Sequence, residues 1–183
     1  SWNEAAAFCA WLAETTGEPF ALPDEAQWEH ACRAGTTTPL WYGGVRDDFA
    51  GHANLADASL ARINTYDPWK LPSGAIHPWR PAVDTVDDGH RVTAPVGAFA
   101  ANPGGLHDMH GNAAEWTRSL WRAYPWRDDG RNAANADGPR VARGGSFYDR
   151  PRHARSAARR QYPPWQKVFD VGFRVACPVT AQD

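Results

Sequence analysis

The chain has 183 residues and a formal net charge of −2, enough length for one domain with a substantial core. That near-neutral balance gives no electrostatic case for nucleic acid or an anionic membrane surface, and no apolar run approaches the ~20 residues a membrane span needs. Ten Trp, fifteen Pro and sixteen Gly describe rigid rings separated by turns, an irregular domain rather than a helical bundle or a doubly wound sheet. Three cysteines leave at least one thiol without an intrachain partner, so the redox compartment stays open.

Ser1-Trp2-Asn3-Glu4 reads as a capping box. Ala5, Phe8, Cys9 and Leu12 then recur at three- and four-residue steps, which predicts an amphipathic helix stopped near Gly17. Asp24 and Gln27 repeat the device, with Trp28, Ala31 and Cys32 as the buried face and Gly35 past the end. Periodicity then vanishes from Thr36 to Pro103. Trp41-Tyr42-Gly43-Gly44, Asp67-Pro68-Trp69, His77-Pro78-Trp79 and Asp87-Asp88-Gly89 are turns, and buried tryptophans would pack them from within. Thr93 to Phe99 reads as a short edge strand, because Pro95 bars it from a sheet centre. Glu115 to Trp121 predicts a strand, and Asp128 to Asp137 a polar loop. Arg140 to Tyr148 alternates into a double-glycine break. Val168 to Cys177 is the strongest strand, with Val171, Phe173 and Val175 on one face. No internal repeat is visible.

Gly104 to Thr117 carries the first chemical signal. Asp108 and Glu115 are hard oxygen donors, and the tight Gly111-Asn112 turn between them would aim carbonyls at the same point. That mixture suits Ca²⁺, which takes carboxylate and main-chain oxygens together. A turn that Asp108 and Glu115 merely cap accounts for the same residues, and both readings stay open.

Four motifs in order carry a resemblance. Leu22-Pro-Asp-Glu-Ala-Gln-Trp-Glu-His-Ala-Cys-Arg-Ala-Gly35, Gly105-Leu-His-Asp-Met-His-Gly-Asn-Ala-Ala-Glu-Trp116, Arg143-Gly-Gly-Ser146 and Val171-Gly-Phe-Arg-Val175 are together similar to the sulfatase-modifying-factor family, whose best-known member is the formylglycine-generating enzyme. The match covers nearly the whole chain. It implies an α+β, irregular, loop-rich C-type-lectin-like fold with two N-terminal helices and short antiparallel strands, in one domain over 1–183. It also implies that the N-terminal part of the family domain is missing here, and that a further N-terminal segment or a companion domain is to be expected.

The resemblance further implies two structural calcium sites. One would use the Asp108 and Glu115 side chains with carbonyls of Gly111 and Ala113; the other the Asn54 and Asp88 side chains with carbonyls of Leu55 and His90. Formylglycine formation, as the family implies it, uses O₂ at a copper ion held by two cysteines just after Gly-Gly-Ser, and thiolates are what Cu(I) requires. Phe147 to Arg159 contains no cysteine, which speaks against copper and that activity. The family pairs the counterparts of Cys9 and Cys32 with C-terminal partners. A Cys9–Cys177 contact is expected on that ground, while the partner of Cys32 is replaced by Ser156.

His107, His110 and His153 are the remaining candidates for a redox metal such as iron, although no carboxylate or thiol accompanies them at a recognisable ligand spacing. In one branch of the family, the ergothioneine-pathway sulfoxide synthases, the lectin-like domain completes an iron site held by another domain. In another branch, receptors diversified by retroelements, the variable ligand face lies between Gly-Gly-Ser and Gly-Phe-Arg. Here that interval holds Tyr148, Asp149, Arg150, Arg152, His153, Arg155, Arg159, Arg160, Tyr162 and Trp165, residue types that dominate interface hot spots. The five arginines would favour an acidic peptide or protein ligand; equally, they would serve to hold local loops through nearby acids. The expectation is a calcium-stabilised binding module without the catalytic cysteines, and the alternative an oxidoreductase of the same family using iron or copper.

Overall fold

A computed structural model describes residues 1–61, 82–133 and 135–178. Its first helix, α1 (Trp2–Thr16), begins with the predicted capping box, the Ser1 amino group donating to Glu4 Oε2 at 2.8 Å. It ends at Gly17, where φ of 77° lets the amide donate back to the Ala13 carbonyl. Asp24 Oδ1 accepts from the Ala26 and Gln27 amides at 3.0 and 2.8 Å, opening α2 (Glu25–Arg33). The left-handed residue that closes α2 is Ala34 (φ 44°), with Gly35 following it.

Trp2, Ala5 and Cys9 of α1 pack with Leu22, Trp116 and Ala142 in the principal core. Phe8, expected on that buried face, is exposed instead. Trp28 and Cys32 of α2 close over Met109 in a second cluster. A third cluster (Leu40, Phe49, Ala53, Leu55 and Ala154) gathers the irregular loops. Burial from within thus replaces regular hydrogen bonding across this region.

The sheet has the order β3-β2-β1-β4, built from β1 (Ala114–Leu120), β2 (Arg140–Arg143), β3 (Arg160–Tyr162) and β4 (Val171–Phe173). β1–β2 and β2–β3 are antiparallel as expected, but β4 runs parallel to β1, pairing Ala114 with Val171 and Trp116 with Phe173. β3 and β4 lie on opposite edges and point the same way, so the chain between them must cross the sheet. The strand expected from Val168 to Cys177 is therefore short. Phe173 and Val175 do not form a buried face; both are more than a third exposed.

Thr93 to Phe99 is not a strand. Two of its amides go to side chains, Ala94 donating to Asn112 Oδ1 at 2.9 Å and Gly97 to Asp108 Oδ2 at 2.8 Å, and the Ala98 amide closes a turn on the Pro95 carbonyl at 3.1 Å. The turn at Asp87-Asp88-Gly89 is present, with Gly89 at φ 84°. A single helical turn, α3 (Ala58–Ala61), starts where Asp57 Oδ1 accepts from Ser59. The predicted turns at Asp67-Pro68-Trp69 and His77-Pro78-Trp79 lie outside the described residues.

All three thiols are free. Cys9 is buried in the principal core, whereas Cys177 is partly exposed and its Sγ lies 4.0 Å from Glu18 Oε2. The expected Cys9–Cys177 contact is thus replaced by two separate environments. The Cys32 substitution reads as expected: its Sγ faces Ser156 Oγ at 3.6 Å.

Candidate functional site

Asn54, Leu55, Asp88 and His90 come together in one loop cluster, because Asp88 bridges two segments. Its carboxylate accepts from the Leu55 amide at 3.1 Å and the His90 amide at 2.8 Å. Burial, with a contribution from neighbouring Asp57, pushes the Asp88 carboxyl up to about 6. Asn54 is buried, its amide nitrogen donating to the Val92 carbonyl at 2.8 Å, while Oδ1 is buried without a hydrogen-bond donor among the described residues. A buried acceptor left this way costs free energy, and a cation would repay it.

Asp108, Gly111 and Glu115 lie alongside. The Asn112 amide donates to the Asn54 carbonyl at 2.8 Å, so the two loops share a wall. Gly111 (φ 78°) sits there because a Cβ would collide with that same carbonyl. Asp108 Oδ1 is likewise buried without a donor. Glu115 differs. Its carboxylate accepts from Arg174 Nε at 2.6 Å, Arg174 Nη2 at 2.7 Å and Trp28 Nε1 at 2.6 Å. Arg174 also donates to the His107 carbonyl, so a guanidinium already neutralises this side of the loop.

The residues from Tyr148 to Trp165 divide into three groups. Asp149 and Arg160 are joined in an ion pair, and Ser146 Oγ donates to Asp170 Oδ2 at 2.8 Å beside them. Asp149, Asp170 and Ser146 are all buried. Arg159 turns away and pairs with buried Glu25 at 2.6 Å, its guanidinium 4.4 Å from the Tyr124 ring centre; Glu25 also pairs with buried Arg131 at 3.0 Å. Arg152, His153 and Arg155 are exposed on and just after one 3₁₀ turn (Pro151–His153), and Arg150 is half-buried before it. Tyr162 packs edge-on against Trp116, and Trp165 stands 70% exposed.

The histidines are tied elsewhere. His110 is buried, Nδ1 donating to the Ala154 carbonyl at 2.7 Å and Nε2 accepting from the Trp41 amide at 3.0 Å. Burial therefore pushes its pKa down to about 4. His107 Nδ1 is bonded to the Phe99 carbonyl, and His153 Nε2 accepts from Arg152. Cys32 is fully buried, which pushes its thiol up to about 12. No group of three or more His, Cys, Asp or Glu residues fit for a metal occurs among the described residues, and no described helix is long and apolar enough to cross a membrane.

Ser146, Asp170, Arg174 and Glu25 organise these sites without having been singled out from the sequence, and Asn112, read there only as a turn residue, does so through its side chain. Ser146 and Arg174 stand inside quoted motifs, and Asp170 adjoins one. Their signal was position within a motif rather than residue type.

Residues 1–179 match the model of the sulfatase-modifying factor enzyme 1-like domain. The formylglycine-generating enzyme of Bos taurus is 32% identical over 186 residues, covering 96% of this chain and 42% of that protein. The inactive C-alpha-formylglycine-generating enzyme 2 of Bos taurus is 30% identical, over 96% of this chain and 48% of its own length. Among solved structures, PvdO from Pseudomonas aeruginosa superposes with a TM-score of 0.66 at 26% identity, covering 97% of this chain and 60% of that one. The chain thus spans less than half the length of the two bovine relatives.

Proposed function

Since this chain belongs to the sulfatase-modifying factor enzyme 1-like domain family, we propose that it is a non-catalytic member, a calcium-stabilised module whose 147–165 face binds a peptide or protein. The observation that carries this reading is the cluster of Ser146, Asp149, Asp170 and Arg160. Asp149 lies in the segment where the family resemblance calls for two copper thiolates, and Arg160, with Ser146 and Asp170 beside it, packs against it from outside that segment. Carboxylates and a guanidinium are hard or cationic groups, the wrong partners for Cu(I). Cys32, whose sulfur touches this segment at Ser156, is held as a protonated thiol by burial. Copper therefore does not fit these residues.

The bovine relative named an inactive formylglycine-generating enzyme gives this scaffold a precedent for lost activity. The other bovine relative, named for formylglycine generation, is what stands behind the oxidoreductase alternative. Iron has little to bind to: His110 has both ring nitrogens engaged, and His107 and His153 join no group of three or more candidate ligands among the described residues.

Calcium does fit. Asn54 Oδ1 and Asp108 Oδ1 are buried oxygens without donors, and an ion would supply the missing positive charge. The Asn54 and Asp88 side chains with the Leu55 and His90 carbonyls would hold one ion. Asp108 and Glu115 with the Gly111 and Ala113 carbonyls would hold the other, with Arg174 sharing Glu115. Their role here is to brace the loops behind the 147–165 face. To test the non-catalytic reading, the purified chain is given Cu(I) or Fe(II) and cysteine-containing peptides in an oxygen electrode. No uptake above the metal-only control is expected; enzyme-dependent uptake overturns it.

A further inference from the structure

Resting on the binding-module reading above, we propose that the 147–165 face selects peptides carrying clustered anionic side chains next to an aromatic residue, with Arg152 and Arg155 as the anion fork and Phe169 as the apolar contact. The five arginines of this face are not equivalent. Arg159 and Arg160 are spent on Glu25, Asp149 and Asp170. No carboxylate among the described residues pairs with Arg150, Arg152 or Arg155. Arg152 uses Nε on His153 Nε2 at 2.9 Å, and Arg155 uses Nε on the Arg152 carbonyl at 2.8 Å. Both bonds use Nε, and the terminal nitrogens of these exposed residues take no protein partner among the described residues. Those nitrogens are the pair that docks a carboxylate or phosphate bidentately.

The display is pre-ordered, which lowers the cost of binding. Pro151 and Ala154 are buried, the Ala154 carbonyl accepts from His110, and the Ser156 amide donates to the Pro39 carbonyl at 2.8 Å. His153 is harder to protonate than an ordinary histidine: desolvation lowers its pKa first and Arg152 repels next, with Asp149 pulling the other way and Arg160 and Arg150 adding smaller repulsion. The apolar part packs on the start of the same segment. Phe169 is 76% exposed and meets the Tyr148 ring edge-on at 5.7 Å, and Tyr148 precedes Arg150 by two residues. An exposed phenylalanine ring held on the segment that carries these guanidinium groups suits a ligand with an aromatic side chain flanking its acids.

The probe is a display library of random peptides panned on the full chain, with R152Q/R155Q as counter-selection. Enriched peptides should carry clustered Asp or Glu beside Phe, Tyr or Trp. Their affinity should fall about tenfold for each arginine removed, as charge-assisted hydrogen bonds imply. It should fall severalfold in Phe169→Ser and weaken as salt rises. A phosphoserine version of the best peptide separates the two anion sources: binding equal to or tighter than the carboxylate form supports a phosphorylated ligand, weaker binding an acidic one. Enrichment of neutral peptides insensitive to R152Q/R155Q overturns this proposal and leaves the binding-module reading intact. No enrichment at all overturns both. A single-stranded oligonucleotide that binds more tightly than any selected peptide also overturns the proposal. Unchanged melting of the exposed-arginine variants excludes misfolding as the cause of any loss.

Discussion

Arg174 grips Glu115 with two hydrogen bonds of 2.6 and 2.7 Å, while Trp28 Nε1 holds the same carboxylate from the helix side. The contact ties the Gly-Phe-Arg segment, β1 and α2 into one unit. Arg174→Met leaves a carboxylate that is mostly buried with a single neutral donor. A fully buried pair broken this way costs about 3–5 kcal/mol; with Arg174 about a quarter exposed, a loss of about 2–4 kcal/mol in urea unfolding is expected. The double variant R174M/E115Q should lose less than the sum of the single changes, because it leaves no unpaired charge. Equal and additive losses would mean the pair is not coupled.

Calcium removal separates the two loops. A ligand bound only by the native state stabilises it, so a chelator should lower Tm by roughly 5–10 °C for each loop that calcium fills at roughly a hundredfold its dissociation constant. Asp88→Asn should abolish the share of its own loop. Glu115→Gln should abolish less, since Arg174 already neutralises the carboxylate. Scanning calorimetry with and without chelator reads both, and an unchanged Tm on chelation would refute calcium at either loop.

His110 makes the acid limb of the stability curve predictable. Its folded pKa of about 4 lies below the ordinary value near 6.5, so above that ordinary value the neutral ring costs nothing. As pH falls from about 6.5 towards 4, the unfolded chain takes up a proton that the folded chain refuses. Stability is lost across that window, by roughly 3–4 kcal/mol at most. His110→Gln should be less stable at neutral pH, having lost a bond, yet show a flatter decline between those limits. A decline just as steep in the variant would place the titrating group elsewhere.

Ser156→Cys tests the Cys32 environment. The Sγ and Oγ atoms are 3.6 Å apart, close enough that a small shift would bring two sulfur atoms to bonding distance. Under an oxidant, thiol titration of the unfolded protein should fall from four groups to two, with the mass fragment linking the two segments. Four titratable thiols after oxidation would show that the backbone holds these positions apart.

The two capped helices were legible because their signals are local: Ser1 with Glu4, and Asp24 with Gln27, need only three residues to close. The family motifs made the loop-rich fold legible as well. What escaped depends on partners distant in sequence. Thr93–Phe99 has the look of an edge strand, but Asn112 and Asp108 take two of its amides through side chains. No periodicity announces such a bond. Val168–Cys177 alternates well, yet Asp170 and Arg174 are drawn off to Ser146 and Glu115, leaving only Val171–Phe173 in the ladder. The candidate face was named as a set of residue types, and composition could not divide it. Only the fold separates Arg159 and Arg160, half-buried and paired with buried acids, from Arg152 and Arg155, which are exposed.

On the proposed reading this member of the family lacks a thiolate pair for copper, and a Cu(I) titration of the purified chain puts that to the test. Sulfur-to-copper charge-transfer absorption follows the metal, with a competing Cu(I) chelator setting the affinity scale. Cys32 and Cys9 are both buried, with thiol pKa values pushed upward, and the three cysteines have separate neighbours. The titration should therefore give only weak binding, with no saturation at one copper per chain. Tight one-to-one binding with a two-sulfur signature would contradict the non-catalytic reading.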